Sequence, residues 1–197
     1  MDNLKIKELK DKKTARKYIK QLINNINPDS REKKASQVWD RVSLHPRFRN
    51  AKVVMTYWSF GDELPSHDFV LNWSFQKIIL LPRIDGDNIV PVRFMGMEYM
   101  SIANKYGIIE PVGDPWQDYD KIDLVLVPAL AYDHNGHRLG RGKGYYDRFL
   151  KKLNAYTIGI AFEEQILDYI PYDDNDVKID EVIFYQPLRY IFISISL

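Results

Sequence analysis

Residues 123–150 read DLVLVPALAYDHNGHRLGRGKGYYDRFL, and the fold turns on how this stretch is read. Leu124, Val125, Leu126 and Val127 form an unbroken apolar run between Asp123 and Pro128. Such a run predicts a strand buried on both faces, as in a parallel sheet covered by helices. At the other end, Tyr145, Tyr146, Phe149, Leu150 and Leu153 recur at i, i+1, i+4, i+5 and i+8, which predicts a helix with one apolar face. Between them stand glycines at 136, 140, 142 and 144, with bases at Arg138, Arg141 and Lys143. Glycines let backbone amides approach an anion, a helix start adds partial positive charge, and bases neutralise the remainder. The loop is therefore read as the phosphate site of an enzyme. A basic surface turn without a ligand needs fewer glycines and bases than these nine residues carry.

Two familiar phosphate loops are excluded. A Walker loop needs glycine at 137 and Ser or Thr at 144, where His137 and Gly144 stand. A dinucleotide fingerprint starting at Gly140 needs glycine at 145, which is Tyr145.

Working outward, residues 157–162 predict another strand, with Gly159 at a point of close packing. Residues 52–58 and 77–81 predict earlier strands, and 89–94 follows a Gly-Asp turn as a hairpin or sheet neighbour. Ala15, Tyr18, Ile19, Leu22, Ile23 and Ile26 form a helical stripe. A second helix begins at Asn27-Pro28, buries Ala35, Val38, Trp39 and Val42, and stops before Pro46; His67 and Asp68 open a third. Helices alternating with strands predict an α/β fold: a single three-layer αβα domain over residues 1–197 with a mostly parallel, Rossmann-like sheet. Residues 191–197 alternate like an edge strand.

Other residues bear on chemistry. Lys12 and Arg16 are i, i+4 neighbours able to face one anion, although a lysine-rich helix face is by itself ordinary solvated surface. Residues 59–63 form a turn at the carboxyl end of a strand, the edge where open α/β sheets bind ligands, with Trp58 and Glu63 beside it. Asp173, Asp174 and Asp176 form a carboxylate cluster that reads equally as an exposed acidic turn. Residues 111–120 form a polar loop with the character of a lid. His134 and His137, without cysteines, make a poor zinc pair.

These residues carry a resemblance. RLGRGKGYYDRFL, preceded by VPALAYDHNG, resembles the signature of the 5-formyltetrahydrofolate cyclo-ligase family. The resemblance implies closure of 5-formyltetrahydrofolate to 5,10-methenyltetrahydrofolate, with ATP as co-substrate and Mg2+ as cofactor. Lys12, Lys13 and Arg16 match a K-x-x-L-R pattern that contacts ATP, with Ala15 in place of leucine. Arg138, Leu139, Gly140, Arg141, Gly142, Lys143, Gly144, Tyr145 and Tyr146 are the implied nucleotide-binding run, with Lys143 and Arg141 as the catalytic bases. Glu63 keeps the glutamate of a substrate-binding E-x-D-T pattern, and Pro65 replaces its aspartate. A carboxylate there can accept from two N–H donors of a pterin, with Trp58 and Tyr145 packing on a ring. Tyr145 and Tyr146 read equally as core. Asp147 and Asp176 are the implied magnesium ligands, and residues 107–111 match a G-I-x-E-P motif of structural role.

Composition narrows the alternatives. A net charge of +1 gives no global attraction to polyanions, which argues against a nucleic-acid-binding module using the basic loop. An ATP-independent sugar-phosphate isomerase or CoA-transferase relative is the enzymatic rival. The absence of cysteine removes disulfides and thiol chemistry and fits a reducing cytoplasm. No apolar run is long enough for a membrane span, so a cytoplasmic enzyme with small-molecule substrates is expected, as a monomer or weak homo-oligomer.

Overall fold

The computed structural model describes residues 11–102 and 107–186. The chain runs α1 (Lys12–Asn24), α2 (Pro28–Leu44), α3 (Pro46–Asn50), β1 (Val53–Met55), α4 (His67–Trp73), β2 (Ile78–Asp85), β3 (Asn88–Arg93), β4 (Met100–Ile102), β5 (Ile109–Pro111), β6 (Leu124–Pro128), β7 (Ala131–Asp133), β8 (Arg138–Leu139), α5 (Tyr145–Leu150), β9 (Tyr156–Ala161), β10 (Ile166–Leu167) and β11 (Glu181–Phe184). Asp11 and Asn27 cap the first two helices through their side-chain oxygens, and Pro28 occupies the first turn of α2.

The central sheet has the order β11-β9-β6-β1-β2-β3. Every neighbouring pair is parallel except β2 with β3, an antiparallel hairpin. All five residues of β6 are buried, as the apolar run requires. Alternate residues serve opposite faces: Leu124 and Leu126 pack with Ala15, Ile19, Val38 and Phe69, whereas Val125 and Val127 pack with Phe149, Leu150 and Tyr132. The first face is covered by α1, α2 and α4, the second by the short α5 and its flanking loops. A Cβ at Gly159 would come 2.5 Å from the Tyr132 ring, so the expected close packing is real.

From β1 the chain winds one way through β2 and β3, then returns to place β6, β9 and β11 on the other side of β1. The reversal between β1 and β6 opens a crevice at their carboxyl ends, the usual ligand position in such sheets.

Three expectations need correction. The stretch after β6 is more than a loop, because β7 and β8 pair antiparallel and join β10 in a small second sheet. The helix beginning at Tyr145 has only six residues. Residues 111–120 form no lid: Pro115 bridges Val92, Trp116 N–H donates to Pro91 O, and Gly113 O accepts from Arg83, which fastens the segment to the hairpin. The apolar tail 191–197 and the first basic residues, Lys5, Lys7 and Lys10, lie outside the described residues.

Candidate active site

A cavity of about 790 Å³ occupies the crevice where the strand order reverses. Tyr57 and Trp58 enter it from the end of β1, and Pro128 and Ala129 from the end of β6. The hairpin supplies Pro82, Ile84 and Ile89, α1 supplies Lys12, Arg16 and Lys20, and residues 140–148 form the opposite wall. Eight bases line it against five carboxylates, so the cavity is cationic in a nearly neutral protein.

The loop is shaped for close approach. Gly142 and Gly144 have φ of 99° and 66°, the left-handed region that side chains disfavour. A Cβ at Gly142 would also come 3.3 Å from the Arg16 guanidinium, whose Nε donates to Gly140 O at 2.8 Å. Helix α1 and the loop therefore meet through Arg16. The short α5 brings little macrodipole, so an anion at this wall would be held by side-chain charge and loop amides.

Three of the eight bases already hold carboxylates. Lys12 Nζ donates to Asp173 at 2.7 Å and to Asp176 at 2.6 Å. Burial works against that ammonium, but the two carboxylates outweigh it and raise its pKa. Arg138, almost fully buried, donates to Asp147 at 2.6 Å and lies over the Tyr146 ring. Arg141 pairs with Asp62, and its Nε lies 3.4 Å from Glu63 Oε1. Lys143 is exposed, and its ammonium has no partner among the described residues.

Glu63 accepts from the Phe60 amide at 3.0 Å, and burial raises its carboxyl pKa despite Arg141. Trp58 stacks between His67 and Phe94, with ring centroids 4.1 and 5.9 Å away. The Tyr146 hydroxyl is buried without a partner, and burial pushes its pKa up, so it remains a neutral donor. Tyr145 is half-buried beneath Arg148.

The structure thus brings Lys12, Arg16, Trp58, Glu63, Arg138, Gly140, Arg141, Gly142, Lys143, Gly144, Tyr145, Tyr146, Asp147 and Asp176 to one cavity. Two candidates lie elsewhere. Lys13 is exposed and absent from the cavity wall, because a neighbour of Lys12 on a helix faces about 100° away. Leu139 is 1% exposed and packs in the core, since it alternates with Arg138 along β8. His134 is exposed, whereas His137 is buried with Nδ1 2.8 Å from Asp133, so the two do not converge.

Asp147 and Asp176 suit a hard divalent cation. Both described bonds to Asp147, from Arg138 and Val177 N–H, go to Oδ1, and both to Asp176, from Lys12 and Asp173 N–H, go to Oδ2. Each keeps a second oxygen, and two carboxylates beside a basic glycine-rich loop fit the donor set Mg2+ takes from a protein.

Sequence reasoning left out two residues at the site: Arg148 lines the cavity, and Asp62 pairs with Arg141. Glu110, assigned a structural role, does both jobs: it is 4% exposed, accepts from Ile84 N–H at 3.1 Å and lines the cavity.

Comparison with known proteins gives a consistent picture. The model of the 5-formyltetrahydrofolate cyclo-ligase family matches residues 8–185. The chain is 31% identical over 188 residues to 5-formyltetrahydrofolate cyclo-ligase of Mus musculus, covering 88% of this chain and 93% of that one. It is 27% identical over 208 residues to the mitochondrial 5-formyltetrahydrofolate cyclo-ligase of Arabidopsis thaliana, covering 88% and 74%. The NMR structure of Aquifex aeolicus 5,10-methenyltetrahydrofolate synthetase superimposes with a TM-score of 0.80 at 27% identity, covering 94% of this chain and 95% of that one.

Proposed function

Because the chain belongs to the 5-formyltetrahydrofolate cyclo-ligase family, we propose that it uses ATP and Mg2+ to close 5-formyltetrahydrofolate to 5,10-methenyltetrahydrofolate, releasing ADP and phosphate. The observation that carries this reading is the convergence on one cavity, at the strand-order reversal, of Lys143, whose ammonium has no partner among the described residues, and the partly buried carboxylate of Glu63.

A formyl oxygen is a poor leaving group. Transfer of the ATP γ-phosphoryl to it makes a phosphate ester, and the neighbouring secondary amine then attacks the activated carbon. A carbon–nitrogen bond forms, the amine loses its proton, and phosphate departs with the carbon–oxygen bonding pair. The protein's part is to position two substrates and neutralise developing charge. Lys143 and Arg141 face the transferring phosphoryl group, while Lys12, Arg16, Arg138 and the amides of residues 140–144 hold the remaining phosphate oxygens. Asp147 and Asp176 would hold Mg2+, which supplies charge neutralisation on the phosphates when bound. Glu63 accepts from the N–H edge of the pterin, and Trp58 and Tyr145 pack on its rings. Tyr146, neutral at any physiological pH, can only donate its proton or accept a weak bond, so it suits a carbonyl oxygen.

Phosphate entry requires Lys12 and Arg141 to exchange carboxylates for ligand oxygens. Their pairs are partly exposed and therefore weak enough to exchange. The same pairing weakens the nucleic-acid alternative, because carboxylates interleaved with the bases repel a polyanion. No described helix is long and apolar enough to cross a membrane. We place the enzyme in the cytoplasm, as a monomer or weak homo-oligomer.

The test is a spectrophotometric assay of methenyl product from 5-formyltetrahydrofolate. Turnover is expected only with ATP and Mg2+ together, with one ADP formed per folate cyclised. Full-rate product in EDTA, or without nucleotide, refutes the proposal.

A further inference from the structure

We propose that Arg148 is a positioning residue for Lys143: it latches the phosphate loop to the β2–β3 hairpin and so holds the two walls of the cavity in register. The inference rests on the phosphate-site reading of the loop and adds a residue which that reading leaves out.

Lys143 stands between two glycines of left-handed backbone conformation, Gly142 and Gly144. Such a segment is intrinsically loose, because glycine has the widest choice of backbone states. Yet a lysine that stabilises a transferring phosphoryl group must be held before the reaction begins. Its ammonium has no described protein partner, so the fixing must come through the backbone. Arg148 Nη2 donates to Lys143 O at 2.9 Å. The same guanidinium reaches across to the turn joining β2 to β3, where Nε donates to Asp87 O at 3.0 Å and Nη2 donates to that oxygen as well. One planar group thus ties the carbonyl of the candidate catalytic lysine to the hairpin whose Pro82, Ile84 and Ile89 wall the cavity.

Two further features keep the guanidinium in place. It lies over the Tyr145 ring, 5.5 Å from the centroid, a cation–π arrangement that restrains it from below. A Cβ at Gly144 would come 2.8 Å from Nη1, so the glycine leaves room for the latch as well as for the turn. Lysine cannot replace arginine here, because a single ammonium does not reproduce a fork reaching two carbonyls in one plane. An arginine that only decorated a helix surface would need neither carbonyl.

The experiment compares Arg148→Lys and Arg148→Ala with the unaltered enzyme in the ATP-dependent assay, with melting temperatures measured in parallel. Both variants are expected to lose kcat by roughly tenfold to a hundredfold, the scale of a displacement of about 1 Å in a catalytic group. KM for ATP should stay near its original value, and millimolar guanidinium should restore part of the kcat of Arg148→Ala. Arg148→Lys at full kcat would reduce the role to charge and overturn the inference. A lowered melting temperature with unchanged kcat would make Arg148 merely structural, and raised KM for ATP with unchanged kcat would make it a direct phosphate ligand. If Arg148→Ala does not fold, Arg148→Lys alone decides. Failure of the unaltered enzyme to form methenyl product refutes the proposed function itself, before any variant is compared.

Discussion

The two walls of the cavity are built by different physics. On one side, Lys12, Arg138 and Arg141 are each paired with carboxylates from elsewhere in the chain, and Lys143 lines the cavity, exposed and without a partner among the described residues. On the other, Pro82, Ile84, Ile89 and Trp58 extend the sheet and its aromatic stack into the crevice. Exposed ion pairs contribute little to stability and exchange partners readily. Packed apolar side chains contribute through buried area and do not rearrange cheaply. On the proposed function, the partly exposed pairs of Lys12 and Arg141 would yield to a polyphosphate by swapping partners, while the buried Arg138–Asp147 pair stays in place and the apolar wall would receive a flat ring without moving. Substitutions on the charged wall should alter activity far more than stability.

Lys143→Ala is the strongest test of that contrast. Turnover is expected to fall roughly a hundredfold to a thousandfold, the scale for losing one preorganised charge-stabilising donor, with an unchanged melting temperature. Lys143→Arg should recover only part of the rate. Near-normal turnover in Lys143→Ala would remove the loop from the chemistry.

Leu139→Ala, two residues from Arg141, should do the opposite. Its side chain is core, so unfolding by denaturant should show a loss of about 2–5 kcal/mol, with nucleotide affinity preserved in the folded fraction. A selective loss of nucleotide binding would return Leu139 to the site.

Glu63→Gln sharpens the contrast, because Glu63 lines the cavity and its carboxylate lies 3.4 Å from Arg141 of the charged wall. Loss of a charged acceptor should weaken folate binding by about 1.5–3 kcal/mol, measurable by titration. Its carboxyl pKa is raised by burial, so the folded state holds that proton more tightly than the unfolded state. The resulting stability is present below the ordinary carboxyl pKa and is lost as pH rises through the raised value. Glutamine cannot ionise, so the ligand-free variant should melt higher than the unaltered protein at neutral pH and lose that advantage in acid. Folate binding by the unaltered enzyme should strengthen as pH rises through the same range, and Glu63→Gln should flatten that dependence.

The smallest effect is expected from Lys12→Ala/Arg16→Ala. Each base already has a protein partner to surrender, so the net gain on binding phosphate is modest, and ATP affinity should fall about tenfold, or about 1.4 kcal/mol. Unchanged affinity would leave α1 as scaffold only.

Much of the fold was legible from short-range pattern. The run Leu124–Val127 predicted a strand buried on both faces because only such a strand tolerates consecutive apolar residues. The α1 stripe identified Ala15, Ile19 and Ile23 as core, and all three are at most 1% exposed. Gly142, Lys143 and Gly144 marked the loop because glycines beside bases are rarely needed otherwise. The same reasoning failed where one local pattern allowed two outcomes. Lys12 and Lys13 are alike in sequence but face different ways, and Arg138 and Leu139 alternate on a strand that the glycine count concealed.

The sequence by itself determined the alternation of helix and strand, the faces those elements bury and the presence of a basic glycine-rich loop, because each depends on residues a few positions apart. Only the tertiary structure decided which charges meet. Lys12 and Asp176 are 164 positions apart, Arg16 and Gly140 are 124 apart, and Arg141 and Asp62 are 79 apart. No local spacing encodes these pairings. They arise because the strand order reverses between β1 and β6, bringing α1, the turn after β1 and the loop after β8 to the same edge of the sheet, where unlike charges settle against one another.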